Sequence, residues 1–389
     1  MENIVVVFGG RSVEHEVSVI TGMQVVENMD KKYNAVPLYV TKGGKFLCGD
    51  SLKNFKTFKQ GDFSETFEVF FKPQDQYLYR EVTQKSGLFG KESTTLEKYI
   101  KVDCVFPALH GTYGEDGCFQ GMLETTGVPY VGCGVMSAAV GMDKVIMKKV
   151  FESEGIPMTP YFYFYREDFE NQDEIINKAE EIGYNLFVKP ANLGSSIGIS
   201  KVKNREELIE AIKVAASYDR KIIIEKAVDN PREINAAVLG YQNDLQVSEL
   251  EEPIGWKDFL KFDEKYISGS KGGSKMDGMA NQSKNLPANV TEDIKNQIQN
   301  YAKVAFRAID GMGVARIDFL LDGEKVYVNE INTLPGSISF YLFEVSGISF
   351  TEEINKLIEL AYKRFNQKSK NITSYDSDLL KKTTYGAKL

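Results

Sequence analysis

The chain has 389 residues, 42% of them hydrophobic and 26% charged, a length that exceeds one compact core and predicts two or three domains of ordinary globular composition. With 47 basic against 55 acidic residues, a formal charge of -8, no apolar run near the ~18 residues of a membrane span and no secretory segment at its start, it is expected in the cytoplasm with neither nucleic acid nor membrane as partner. Four cysteines without zinc-type spacing and only two histidines leave little material for a multi-histidine metal centre or a His-based triad.

Asn3 to Phe8 is a near-continuous apolar run that reads as a buried parallel strand ending at Gly9-Gly10. A helix is expected from about Ser12, with Ser12 as its cap and Glu14 and Glu16 in the first turn, where negative charge complements the helix dipole. Alternatively, Glu16 points into a cleft to hold a substrate ammonium. The sequence is not GxGxxG, so a nicotinamide-binding fingerprint is absent.

Residues 33–40 and 102–109 read as further buried strands, the second ending in Leu109-His110-Gly111 before Thr-Tyr-Gly-Glu-Asp-Gly. Ligands of open parallel sheets collect at such strand ends. His110 and Glu115 could orient one there, although a loop histidine can equally be a solvated surface group. Residues 45–100 are polar and dotted with aromatics, and are expected to form an elaboration with short hairpins.

From Gly141 a second domain begins with a helix that places Val145, Ile146, Lys149 and Val150 near one face. Leu186–Pro190 is a strand, followed by a loop of glycine and serine whose N–H groups can wrap phosphate, with charge from Lys144 and Lys189. A plain Gly-Ser hairpin turn is the competing reading, and the Gx4GK[ST] pattern of a P-loop is missing. Lys221 to Val228 reads as an exposed strand that can offer backbone to an adenine edge, with Glu225 accepting the exocyclic amine and Glu233 the ribose hydroxyls. Residues 262–284, rich in glycine and lysine, read as a mobile lid. A helix is expected from Thr291.

The stretch from Gly313 to Phe343 reads as two strands and a turn. Ala315, Ile317, Phe319 and Leu321 share one face of the first strand, and Val314, Arg316, Asp318 and Leu320 the other. Glu330 and Asn332 end the second strand before Pro335-Gly336. Clustered carboxylates suit a hard cation such as magnesium. A two-residue turn at Asp322-Gly323 would place Glu330 on the face opposite Asp318; a three-residue turn or a bulge is needed to bring them together. The alternative is an ordinary hairpin with an Arg316-Asp318 or Arg316-Glu330 ion pair. Thr351 to Phe365 is an amphipathic helix, and residues 367–389 a polar tail.

In order, the chain shows Phe-Gly-Gly-Arg-Ser-x-Glu-His-Glu-Val-Ser, Leu-His-Gly-x-x-Gly-Glu-Asp-Gly, Met-Asp-Lys, Val-Lys-Pro-x-x-x-Gly-Ser-Ser-x-Gly, Lys-Tyr, Ala-Arg-Ile-Asp and Asn-Glu-Ile-Asn-Thr-x-Pro-Gly. This order resembles the D-alanine-D-alanine ligases of the ATP-grasp superfamily over roughly 1–365. The resemblance implies an α/β chain with a Rossmann-like substrate domain (1–140), then central (141–226) and C-terminal (227–366) ATP-grasp subdomains. It implies a reaction in which ATP phosphorylates one D-alanine carboxylate and the amine of a second attacks the acyl phosphate, supplying peptidoglycan precursor.

By motif match, Asp318, Glu330 and Asn332 would hold two Mg2+ ions, with Mn2+ able to replace them. Lys144, Lys189, Ser195 and Ser196 would cradle the phosphates, and Glu225, Lys226, Val228 and Glu233 would read adenosine. Glu16, linked to Ser195 and Tyr266, would bind the first ammonium, with His110 beside it. Arg316 and the Gly336 backbone would stabilise the oxyanion, while Lys265 and Ser339 meet the second carboxylate. A homodimer is implied as well. Two departures flank the second-substrate pocket: the segment Gly336–Ser339 is two residues shorter than the family pattern, and the lid is longer. D-serine, D-lactate or another amino acid therefore stands as an alternative acceptor, and a non-catalytic ATP-binding protein as a remote one.

Overall fold

Ile4 through Phe8 are fully buried, as a strand apolar on both faces requires, and β1 (Glu2–Gly9) accordingly lies inside a sheet with β2 (Tyr33–Val40) and β7 (Cys104–Pro107) parallel on either side. The structure is a computed structural model and describes residues 1–86, 91–254 and 284–382. Most of the expected lid therefore lies outside the described residues.

Region 45–100 differs from its expectation. β3 (Phe46–Cys48), β4 (Phe67–Lys72), β5 (Asp75–Ser86) and β6 (Lys91–Lys101) extend the first sheet in the order β6-β5-β4-β3-β2-β1-β7. β4 and β5 form one short hairpin through a two-residue turn, and β5 and β6 a much longer one than expected. Phe67, Val69 and Phe71 alternate along β4 and pack with Leu78 and Tyr99, a period of two that the aromatic Phe70 between them obscures.

The second sheet has the order β10-β9-β11-β8, from β8 (Tyr161–Tyr165), β9 (Leu186–Pro190), β10 (Ser200–Val202) and β11 (Lys221–Lys226). β11 is thus paired on both edges and is not the exposed strand expected. The helix Lys144–Ser153 also turns differently. It buries Lys144, Val145, Met147, Lys148 and Phe151, whereas Ile146 is exposed. Hydropathy alone cannot place two lysines on an inner face.

The third sheet runs β13-β12-β16-β17, from β12 (Arg232–Tyr241), β13 (Asp244–Val247), β16 (Met312–Asp322) and β17 (Lys325–Asn332). Between them in sequence, β14 (Glu252–Pro253) pairs with β15 (Lys284–Asn285). Ala315, Ile317, Phe319 and Leu321 are buried on one face against the helix Glu292–Ala308, whose Ile298, Ala302, Ala305 and Phe306 join the same core. Thr291 caps that helix through its side chain.

The helix Phe350–Lys368 ties the first and third sheets together: Phe350, Ile354, Leu357 and Ile358 pack in one cluster with Phe8, Met23, Leu239 and Val314. Among the described residues no helix is long and apolar enough to cross a membrane. Cys48, Cys104 and Cys133 are buried, and burial pushes the Cys48 thiol up to about 12 and Cys133 to about 11.

Glu353, in the Phe350–Lys368 helix, is wholly buried, and both of its carboxylate oxygens lack a hydrogen-bond partner among the described residues. Burial, with repulsion from Glu344 added, holds its pKa well above the ordinary value. A raised folded-state pKa means this group's stabilising share is complete below its unfolded pKa and is lost as pH rises through the folded one. Urea unfolding of Glu353→Gln across pH 5–9 is expected to show a flatter decline of stability with pH than the parent. Parallel curves would show that Glu353 ionises without cost.

Candidate active site

The turn between β16 and β17 is two residues long, because Asp322 pairs with Lys325, and that register alone would leave Glu330 on the wrong face. The register shifts between Asp318 and Phe319: Phe319 pairs with Val328, but Asp318 pairs with Glu330. Asn329 is the extra residue of a β-bulge. Asp318 and Glu330 consequently face each other, with Asn332 opposite Arg316.

Partners across antiparallel strands share a face, so Glu233 (opposite Leu320) and Asn235 (opposite Asp318) lie on this same polar side. The Arg316 guanidinium grips Asp318 with two bonds, Nε to Oδ1 at 2.7 Å and a terminal nitrogen to Oδ2 at 2.8 Å, and the Asn332 amide donates to Oδ2 at 3.1 Å. The Arg316-Asp318 ion pair and the carboxylate cluster, posed as alternatives by the sequence, coexist. Among the described residues no group of three His, Cys, Asp or Glu side chains gathers. Here the donors are two carboxylates and the Asn332 amide oxygen, all hard oxygens, and they fit a magnesium-type ion.

Lys144 bridges to the next part of the site. Its ammonium donates to the Leu193 carbonyl at 2.8 Å and lies 3.8 Å from Glu330. Leu193 belongs to the loop between β9 and β10, in which Ser195 and Ser196 take left-handed conformations with φ of 55° and 58°. Glu225 does not face outward to an adenine: its carboxylate is buried between Lys148 at 3.3 Å and Lys189 at 2.5 Å. Lys226 likewise spends its ammonium on the Gly183 and Tyr184 carbonyls. Beyond β11, Ala227 and Val228 leave the sheet.

The expectation for Glu16 is corrected. Glu16 is exposed and pairs with Lys42, whereas Glu14 is buried and accepts a hydrogen bond from the Ser195 hydroxyl. The helix begins at His15, three residues later than expected, and the Ser12 hydroxyl accepts from the Glu14 N–H. Two residues apart at a helix start, these glutamates point in nearly opposite directions. A Cβ on Gly111 would stand 2.7 Å from the Glu14 carboxylate, and one on Gly194 3.3 Å. Both glycines make room for it.

His110 is buried, not solvated. Its Nε2 lies 2.8 Å from the Thr21 hydroxyl, which also accepts the Ser337 N–H at 3.1 Å. The shortened segment Gly336–Ser339 forms a tight turn in which Ser337, Ile338 and Ser339 all have positive φ, between 52° and 58°. The Ser339 hydroxyl is buried without a partner among the described residues. Lys265 and Tyr266 lie outside the described residues.

Comparison with known proteins decides the family. The model for the D-ala D-ala ligase N-terminus matches residues 3–133 and that for the D-ala D-ala ligase C-terminus residues 150–359. The chain belongs to the D-Ala-D-Ala ligase family. A D-alanine--D-alanine ligase of Thermosipho melanesiensis is 42% identical, the alignment covering 98% of this chain and 99% of the relative. The fold is that of such ligases, the ATP-grasp fold. The D-alanine-D-alanine ligase from Coxiella burnetii superposes with a TM-score of 0.76 at 29% identity, covering 95% of this chain and 96% of that one. The VanG D-Ala:D-Ser ligase from Enterococcus faecalis does so with 0.75 at 30%, covering 92% and 99%.

Sequence reasoning missed Glu14, Thr21 and Lys148 at this ligase-family site. Only Glu14 had a visible trace, since it stands in the same acidic first turn as Glu16. A buried carboxylate bonded to the Ser195 loop matters more than one paired in solvent. Glu14→Gln is expected to lower ATP-dependent turnover roughly 10- to 100-fold, and Glu16→Gln by less than about twofold. Phosphate release measures both, and the reverse ranking would return the role to Glu16.

Proposed function

We propose that the chain is an ADP-forming ligase that joins two D-alanines through an acyl phosphate, as a cytoplasmic homodimer supplying peptidoglycan precursor. The observation that carries this is the position of Lys144, which touches both the serine loop and Glu330. A polyphosphate lying along that ammonium meets the loop N–H groups on one side and the oxygen cluster on the other. The three sheets fall in the segments 1–140, 141–226 and 227–366, which we take as the domains.

In this reading Lys144, Lys189 and the N–H groups at Ser195 and Ser196 hold the ATP phosphates. The Ala227–Val228 backbone meets adenine, and Glu233 the ribose. Asp318, Glu330 and Asn332 would hold magnesium or manganese, which when bound supplies positive charge against the phosphoryl oxygens. Glu14 takes the ammonium of the first D-alanine in place of Glu16, with His110 close to that substrate. Arg316 has N–H groups left after gripping Asp318, and these, with the Gly336 N–H, meet the oxyanion of the tetrahedral intermediate. Ser339 and Lys265 receive the second carboxylate, and Tyr266 joins Ser195; Lys265 and Tyr266 are carried by the motif resemblance.

A second reading keeps the first half-reaction and changes the acceptor to D-serine. Its support is the Ser339 hydroxyl, buried without a partner among the described residues: if Lys265 alone takes the second carboxylate, that hydroxyl is left to meet the side chain of a D-serine. Purified protein with ATP and magnesium, assayed for phosphate release and product across D-alanine, D-serine and D-lactate, separates the readings. D-alanine alone giving dipeptide supports the first, mixed dipeptide the second, and no turnover with any acceptor removes both. Arg316→Ala is expected to cost about 100-fold in turnover while ATP binding persists. Near-normal turnover would take Arg316 out of the oxyanion site.

A further inference from the structure

Behind the phosphate side of the site lies a cluster of charge that the reaction itself does not use. Lys148, on the inner face of the Lys144–Ser153 helix, is 1% exposed and reaches one Glu225 oxygen, while Lys189, from β9, reaches the other. Two ammoniums share one carboxylate, and all three groups are buried. Burial alone would raise the Glu225 pKa, but the two lysines outweigh it and pull it down to about 2. Glu225 is therefore ionised; burial lowers the Lys148 pKa from its ordinary value and the facing Glu225 carboxylate offsets part of that, so that with both ammoniums protonated the cluster holds one positive charge in excess.

An excess charge inside a protein is costly unless an anion arrives to meet it. Lys148 is too enclosed to be the group that touches the anion. Lys189 is somewhat more accessible, with 9% of its side chain exposed. If Lys189 were the sole partner of Glu225, the pair would be neutral and would attract a phosphate weakly. Lys148 changes that balance from behind.

We propose that Lys148 is a positioning residue for the nucleotide phosphates: by neutralising Glu225 from the buried side it leaves Lys189 a net positive charge toward the ligand, while Glu225 fixes the position of both ammoniums. This rests on the reading that Lys144 and Lys189 hold the phosphates of ATP.

The test compares the full chain with Lys148→Met and with Lys148→Met/Glu225→Gln, by calorimetric binding of ADP and of adenosine in the presence of magnesium and by steady-state kinetics. Cluster charge falls from one to zero in the single variant and returns to one in the double. Lys148→Met should weaken ADP by about tenfold or more while leaving adenosine unchanged. Its KM for ATP should rise in step, with the KM for D-alanine within about twofold of the parent. The double variant should recover ADP affinity to within about threefold, which a merely structural lysine would not do.

Parent-like ADP binding by Lys148→Met, or no recovery in the double variant, overturns the proposal. Thermal unfolding checks that each variant is folded. Should Lys148→Met fail to fold, the double variant decides alone, with parent-like ADP affinity in support and a tenfold loss against. A parent that binds adenosine but gains nothing from the phosphates of ADP would instead overturn the phosphate reading itself, and this proposal with it.

Discussion

Taking an ion out of water costs several kcal/mol unless a partner meets it inside, and the arrangement of this protein follows from meeting that cost with groups from different elements. Glu225 of β11 lies between Lys189 of β9 and Lys148 of a helix. Lys144, one turn earlier on that helix, reaches Glu330 of the third sheet. Glu14, after β1, holds the serine loop of the second sheet. Near the third sheet, buried Glu251 accepts from the Tyr341 hydroxyl and the Asn235 amide. The Lys144–Glu330 and Glu14–Ser195 pairings join parts of the chain far apart in sequence and on different sheets, so these charges position the sheets as well as equip the cleft between them.

The third sheet shows how one element can serve the core and the site. Its apolar face is an ordinary two-residue alternation that buries Ala315, Ile317 and Phe319. The polar face needs Glu330 beside Asp318, and the two-residue turn denies it. One bulged residue settles the conflict, because Ile331 then enters the core beyond Val328 while Glu330 turns to meet Asp318. Without Asn329 in the bulge, either the core would lose an isoleucine or the site would lose a carboxylate.

That bulge was legible in outline. Val326 and Val328 keep a period of two and Ile331 breaks it, a trace of the extra residue that the turn-length argument converted into a condition. The buried strand at Asn3–Phe8, the serine loop and the two faces of β16 were also readable, since each rests on local pattern. Groups whose placement depends on distant partners were not. Lys148 looks like a solvated lysine until Glu225 is brought to it, and the choice between Glu14 and Glu16 turns on where the first helical turn begins. The β5-β6 hairpin was missed for a different reason, as its alternating residues are mostly polar and its stability comes from extending a sheet already formed.

The turn Ser337–Ile338–Ser339 carries a last consequence. Left-handed backbone costs a non-glycine residue on the order of 1–2 kcal/mol, and here three such residues follow one another, the middle one β-branched. Ile338 is buried in the same cluster that holds the long C-terminal helix, so the packing that secures the molecule also holds this turn in an unfavourable shape. Glycine there would relax the backbone but release the anchor. If this turn lines the acceptor pocket, as the proposed function has it, selection for thermal robustness and selection for a new acceptor act on the same three residues and trade one against the other.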